Sequence, residues 1–68
     1  MMKDDWQCIF SSGKVYETEL IHGMLTENGI EGVVVNKQDS AYLFGEVELY
    51  VKKQDVLAAK KLIREIEE

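Results

Sequence analysis

The sequence has very few of the residues on which disulfide, metal or proton-transfer chemistry depends. Its 68 residues include one cysteine, Cys8, and one histidine, His22. A single cysteine excludes an internal disulfide, and one cysteine with one histidine cannot complete a structural zinc site. No catalytic triad, metal-binding cluster or phosphate-binding loop is recognisable in the sequence. We therefore expect no catalytic residue, no metal and no cofactor.

Long apolar runs and an excess of positive charge are absent as well. No stretch approaches the roughly 18 apolar residues of a transmembrane helix, and residues 1–6 lack the apolar core of a signal peptide. The formal net charge is −5, whereas binding to nucleic acid or to an anionic membrane needs a basic surface. A lone thiol is typical of a reducing compartment. These features predict a cytoplasmic protein that binds neither nucleic acid nor membranes.

The length of the chain limits the core that it can build. We expect one domain over residues 1–68. A chain of this size buries only about 60% of the surface that its unfolded form exposes. The hydrophobic content of 46% is nevertheless sufficient for a real core. The composition therefore predicts either an economical two-layer domain or a homodimer whose two copies share burial.

The strongest pattern is an amphipathic helix that begins near residue 16. Five apolar side chains fall within half of its circumference: Tyr16, Leu20, Ile21, Met24 and Leu25. The preceding residues, 11–13, provide hydroxyl groups and a glycine that can cap the first amides of this helix. Gly29 is expected to end the helix in the left-handed conformation, with Ile30 packing back onto the last turn.

The segment before this helix, residues 5–11, alternates as a strand does. Trp6, Cys8 and Phe10 fall on one side, and Gln7 and Ile9 on the other. We expect the side with the two aromatic residues to face the core. Cys8 would then be a small buried hydrophobe.

Two further strands and a second helix follow. Residues 31–37 contain three consecutive valines, which favour a strand. A third strand begins at Gly45, and its alternation predicts one buried and one solvated face. Val47, Leu49 and Val51 lie on the first face, and Glu46, Glu48 and Tyr50 on the second. Residues 53–68 then place five residues on one helical stripe, namely Val56, Ala59, Leu62, Ile63 and Ile66. Leu57 points away from that stripe, and no proline interrupts the helix.

The order strand, helix, strand, strand, helix predicts an α+β fold. A right-handed crossover from the first strand and an antiparallel hairpin between the second and third give the sheet order 1-3-2. Both helices then cover one face. This arrangement is the ferredoxin-like βαββα pattern, without the strand that would flank the first one. The open edge of the first strand would pair with a second copy or with a partner strand.

Several segments resemble one known family. They are residues 17–25, the Asn28-Gly29-Ile30 junction, the glycine-led strand at 44–51 and the helix at 55–63. They resemble the small prokaryotic domains named "putative signal transducing protein", which are placed near the PII-type nitrogen regulators. The resemblance spans most of the chain. It implies a bacterial ferredoxin-like domain with a regulatory or binding role and no catalytic residues. A PII-like nucleotide site needs a long loop and basic phosphate ligands, which we do not find here.

Few residues stand out as candidates for contact with a partner or ligand. Tyr42, Leu43 and Phe44 place three large apolar side chains in a connection, where exposed aromatic residues make good anchors. Ile9 and Tyr50, on the otherwise acidic sheet face, could extend this patch. His22 lies off the apolar stripe and is expected at the surface, where it could contact a ligand or respond to pH.

Two functions fit these observations. The first is a non-enzymatic regulatory or interaction domain of signal transduction, working as a homodimer or with an unidentified protein partner. The alternative is a small-molecule sensor of the PII-like or amino-acid-binding kind, in which residues 11–13 before the first helix could hold a small anion. An enzyme is not expected, because so short a chain has little room for a water-excluding pocket.

Overall fold

The computed structural model describes residues 5–37 and 45–67. These residues form three strands, two α-helices and one short 3₁₀ turn at Lys53–Asp55. In chain order, the elements are β1 Trp6–Ser12, α1 Val15–Glu27, β2 Gly32–Asn36, β3 Val47–Lys52 and α2 Val56–Glu67. The predicted order of strands and helices is confirmed.

The three strands form one antiparallel sheet in the order β1-β3-β2. β3 alternates strictly, with Val47, Leu49 and Val51 fully buried and the residues between them half-buried. Both helices pack on the side of Leu49 and Val51. The structure is therefore the predicted α+β, ferredoxin-like βαββα arrangement, with an open sheet face opposite the helices.

The core lies between the helices and this inner sheet face. Ile21 and Leu25 from α1 meet three buried residues of α2, which are Val56, Ala59 and Ile63. Ile30 joins them at 6% exposure, as predicted. Neither α1 nor α2 combines the length and the hydrophobicity that crossing a bilayer requires within the described residues.

Gly29 ends α1 in the predicted way. Its φ of 81° lies in the left-handed region, where a residue without Cβ incurs no steric penalty. The amide of Ile30 donates to the carbonyl of Leu25 at 2.8 Å, and the amide of Gly29 donates to that of Thr26 at 3.0 Å. This pair of bonds is the Schellman motif. It turns the chain directly from α1 towards β2.

The predicted face of β1 is wrong because the strand contains a β-bulge. Cys8 lies opposite Tyr50, but the next partner pair is Phe10 with Leu49, which leaves Ile9 as an extra residue. Such an insertion reverses the alternation of side chains beyond it. Ile9 and Phe10 both pack against the core, whereas Cys8 is exposed and not buried.

The buried face of α1 also differs from the predicted stripe. Tyr16 is 56% exposed and Leu20 is 70% exposed, whereas Thr18 is fully buried. The Thr18 hydroxyl donates to the Val47 carbonyl of β3 at 3.3 Å. A polar side chain can be buried when it finds such a bond. The helix is therefore rotated so that a threonine, and not Leu20, faces the sheet.

Candidate functional site

The sheet face opposite the helices is the first candidate surface, and we call it the open face. Directly opposed residues of paired strands lie on the same side of a sheet. Because Val47, Leu49 and Val51 face the helices, their neighbours on β3 project to the open face. The open face then carries Trp6, Cys8 and Ser11 from β1, Glu48, Tyr50 and Lys52 from β3, and Val33 and Val35 from β2.

Apolar groups occupy the middle of the open face. Val33 is 36% exposed and lies opposite Tyr50, which in turn lies opposite Cys8. Trp6 and Tyr50 are half-buried although neither of the two described helices covers this face. At one end, the Lys52 ammonium lies 5.9 Å from the centroid of the Trp6 ring, within reach of a cation–π contact. It also lies 3.4 Å from a carboxylate oxygen of Glu31.

A polar network forms the other end of the open face. The Tyr50 hydroxyl donates to Glu48 Oε1 at 2.8 Å, and the Lys37 ammonium lies 3.3 Å from the same oxygen. The hydrogen bond from Tyr50 lowers the pKa of the Glu48 carboxyl; partial burial opposes this and Lys37 adds to it. The same bond raises the pKa of the Tyr50 hydroxyl. Both shifts widen the pH range over which Glu48 is ionised while Tyr50 is protonated.

The His22 side chain packs against an edge strand of the sheet and is not presented at an exposed site. Its Nε2–H donates to the carbonyl of Gly32 at 3.1 Å. The Lys37 amide donates to the Glu46 carbonyl, so alternation along the antiparallel pair directs the Gly32 carbonyl away from β3. β2 is an edge strand in the described sheet, and the imidazole covers one of its outward carbonyls. His22 is half-buried, and its Nδ1 lies 4.0 Å from Glu19.

A groove between α1, α2 and β1 is the second candidate surface, and we call it the interhelical groove. It has a volume of about 650 Å³. Its apolar lining consists of Phe10, Leu20, Ile21, Met24 and Ile66, and its polar lining of Ser11 and Glu17. Sequence reasoning missed this groove because it assigned Leu20 and Ile66 to buried stripes. Both are more than half exposed.

The groove is bounded by a small hydrogen-bonded turn at the start of α1. The Ser12 hydroxyl donates to Glu17 Oε1 at 2.5 Å and accepts from the amide of Lys14 at 3.0 Å. Glu17 thus reaches back to the Lys14 amide through Ser12, in a relayed form of the capping box. The turn at residues 11–13 was the predicted site for a small anion. A carboxylate bonded to Ser12 disfavours such a ligand electrostatically.

The predicted contact residues that the structure describes, Ile9, His22 and Tyr50, do not come together in one site. Tyr42, Leu43 and Phe44 lie outside the described residues. Tyr50 lies on the open face, Ile9 packs on the opposite, core-facing side, and His22 packs against the edge strand β2. The prediction that Ile9 shares the face of Tyr50 is therefore wrong. The cause is the β-bulge, which also places Cys8 on the face opposite to the predicted one. Among the described residues, no group of three His, Cys, Asp or Glu side chains is placed to hold a metal.

Comparison with known proteins identifies a family. No curated protein and no solved structure matches the chain. One family model matches residues 6–67, and its description is "Putative prokaryotic signal transducing protein". That description names signal transduction and not an enzymatic activity. Because the match covers nearly the whole chain, the protein belongs to this family of prokaryotic signal transducing proteins.

Proposed function

We propose that the chain is a non-enzymatic regulatory domain that works in the cytoplasm as a homodimer joined through the open face. The observation on which this proposal rests is a sheet face that no described residue covers, with Tyr50 and Val33 at its middle and Trp6 at one end. We expect a signal transducing protein to use such a surface to bind another protein chain and not to catalyse a reaction. Large apolar side chains surrounded by charged groups are typical of protein interfaces.

The charges around the open face favour a second copy as its occupant. Lys52 pairs with Glu31 at one end, and Lys37 pairs with Glu48 at the other. The open face thus presents charges of both signs. A two-fold interface joins the same patch on both subunits. Opposite charges can therefore meet across the axis, whereas a partner strongly charged in one sign would meet repulsion from the groups of that sign.

The open face alone is small for a stable dimer. It consists of three strands of five to seven residues, whereas a stable interface buries about 800 Å² on each partner. The dimer would therefore use the open face together with residues at its border. The edge of β1 is a weaker candidate for pairing. Its bulge at Ile9 interrupts the row of outward amides and carbonyls that a partner strand would need.

Sedimentation equilibrium of two matched variants tests this proposal. Val33→Lys places a charge in the middle of the open face, and Leu57→Lys places the same charge on α2, where Leu57 is 84% exposed. We expect dimers for the wild type and for L57K, and monomers for V33K. A wild type that is monomeric at every concentration would contradict the dimer. If V33K were dimeric, the dimer interface would not lie on the open face.

The second candidate function is small-molecule sensing, and the interhelical groove favours it. Ligand sites are mostly apolar concavities of about 300–1,000 Å³ with a few polar groups. The groove, of about 650 Å³ with Glu17 and Ser11 among its lining residues, fits that description. This support differs from that of the predicted anion site, since the charged group of the groove is an acid. A sensor with this groove would bind a ligand of the opposite sign.

A further inference from the structure

From the interhelical groove we infer that this chain binds a small amphipathic amine, with an aliphatic or aromatic body and one protonated amino group. The inference deepens the sensing function and rests on it. The body lies along the apolar residues of α1, α2 and β1, and the ammonium meets the carboxylate of Glu17. Trp6, Tyr50 and Val33 of the open face are not among the residues that line this site.

The apolar side of the groove is held open by the way the helices pack. Ile21 is 8% exposed and belongs to the core, but Leu20 is 70% and Ile66 is 54% exposed. Leu20 of α1 and Ile66 of α2 line the groove together with Phe10 of β1. Covering these side chains removes apolar surface from water, which contributes about 25 cal/mol per Å². A ligand with an apolar body gains this contribution without moving the core.

Glu17 determines the sign of the ligand. It is the charged residue among those that line the groove. Within the described part of the chain, its hydrogen-bonding partner is the Ser12 hydroxyl, which binds Oε1. Oε2 is therefore available to an ammonium. The Ser12 bond also fixes the carboxylate in place, so that little side-chain entropy is lost when a ligand binds.

The size of the groove favours a small molecule over a peptide helix. At about 650 Å³, it lies in the middle of the range for small-molecule sites. An amphipathic helix would need a longer row of anchors on one surface. Leu57, the most exposed apolar residue of α2, is not among the residues that line the groove. The apolar surface of α2 does not extend the groove into a binding surface for a helix.

Titration with two probes of the same length tests the inference. The full chain is titrated with n-octylammonium and with n-octanoate below their micelle concentrations, and binding is followed by the methyl NMR signals of Leu20, Met24 and Ile66. We expect saturable shifts with n-octylammonium and affinity about tenfold higher than for n-octanoate, the value of one charge-assisted hydrogen bond. Glu17→Gln should abolish this preference. Glu27→Gln removes the same charge elsewhere on α1 and should retain it.

A second pair of variants locates the site. Leu20→Gln should weaken n-octylammonium binding at least fivefold, whereas Leu57→Gln, at an exposed leucine of α2 outside the groove, should leave it unchanged. Equal affinity for both probes, unsaturable shifts, or binding unaffected by L20Q would each overturn the inference. Loss of a dimer in L20Q would overturn it too, since a second copy would then occupy the groove. V33K should bind the amine normally, so that failure of the dimer and failure of this site are distinguishable.

Discussion

Gly32 illustrates how one residue without a side chain positions two neighbours. A Cβ at this position would lie 3.1 Å from His22 Cδ2 and 3.2 Å from Leu49 Cδ1. Leu49 is fully buried and cannot retreat. Gly32→Ala should therefore push the imidazole from the Gly32 carbonyl and destabilise the fold by about 1–2 kcal/mol, as overpacking does. Urea unfolding with and without the substitution measures this difference.

Gly23 on α1 provides the control for this substitution. No atom lies within 4 Å of a Cβ built there, and the residue is helical and exposed. Gly23→Ala should stabilise the protein by about 0.5–1 kcal/mol, because alanine loses less backbone entropy in a helix. The same substitution of glycine by alanine should therefore destabilise the protein at Gly32 and stabilise it at Gly23. Equal effects would show that Gly32 is not constrained by His22 and Leu49.

The bond between Tyr50 and Glu48 predicts a specific titration behaviour. Tyr50→Phe removes the largest cause of the lowered pKa of Glu48, so that this pKa should rise towards its ordinary value. Lys37→Gln should raise it less. Carbon-detected NMR of the side-chain carboxyl groups measures both shifts. A Glu48 pKa that is the same in Y50F as in the wild type would contradict the bond.

The direction of the pKa shifts determines how this network depends on pH. Because folding lowers the pKa of Glu48, its contribution to stability is present above the ordinary value and is lost as pH falls through the lowered one. Because folding raises the pKa of Tyr50, the contribution of the tyrosine is lost as pH rises through the raised value. Both contributions are complete only between the ordinary pKa of a glutamate and the ordinary pKa of a tyrosine. Both should be small, since the groups are near the surface.

At the scale of elements, Thr18 is the polar link between α1 and β3. Its hydroxyl donates to the Val47 carbonyl across the core. Thr18→Val keeps the shape of the side chain but removes the donor, which should cost about 1–2 kcal/mol for a buried carbonyl that loses a partner. Thermal or urea unfolding measures the loss.

Thr26 is a matched control for Thr18 on the same helix. Its hydroxyl donates to the His22 carbonyl at 2.9 Å, but the residue is exposed. Thr26→Val should change stability by less than about 0.5 kcal/mol, because water replaces the lost donor. If both variants were equally stable, the bond between Thr18 and β3 would contribute nothing to the packing of α1.

The elements differ in how much of their structure could be predicted from the sequence. The alternation of β3 and the Gly29 junction depend on neighbouring residues alone, and both predictions are confirmed. The buried face of α1 depends on carbonyls of Val47 and Gly32, which are distant in sequence. The face of β1 depends on a bulge that only pairing with β3 creates. The spacing of apolar residues along one element contains no information about the residues of other elements that it will contact.

The same reason explains why the candidate surfaces were difficult to predict. The open face could be anticipated in part, since Tyr50 and Glu48 alternate with the buried residues of β3. Trp6 and Cys8 could not be placed there, because the bulge changes the side to which they point. The interhelical groove depends on how far Leu20 and Ile66 diverge, which is a property of helix packing. The sequence therefore predicts helices and strands better than it predicts the grooves that form where they pack.

At the scale of the whole molecule, the proposed homodimer links stability to concentration. If the native state is a dimer and the unfolded state a monomer, mass action raises the unfolding temperature as the protein becomes more concentrated. We expect such a rise in scanning calorimetry for the wild type and for L57K. V33K should unfold at one temperature over the same range. A wild type whose unfolding temperature is constant would contradict the coupling of folding to assembly.

The bulge at Ile9 finally has a consequence for how copies of this protein can accumulate. A straight strand can match the outward amides of β1 on one side of the bulge but is out of step on the other. Extended pairing along this edge, the first step towards a fibril, is therefore blocked after a few residues. At the opposite edge, His22 occupies the Gly32 carbonyl. We therefore expect concentrated solutions of this protein to contain finite assemblies and no fibrils.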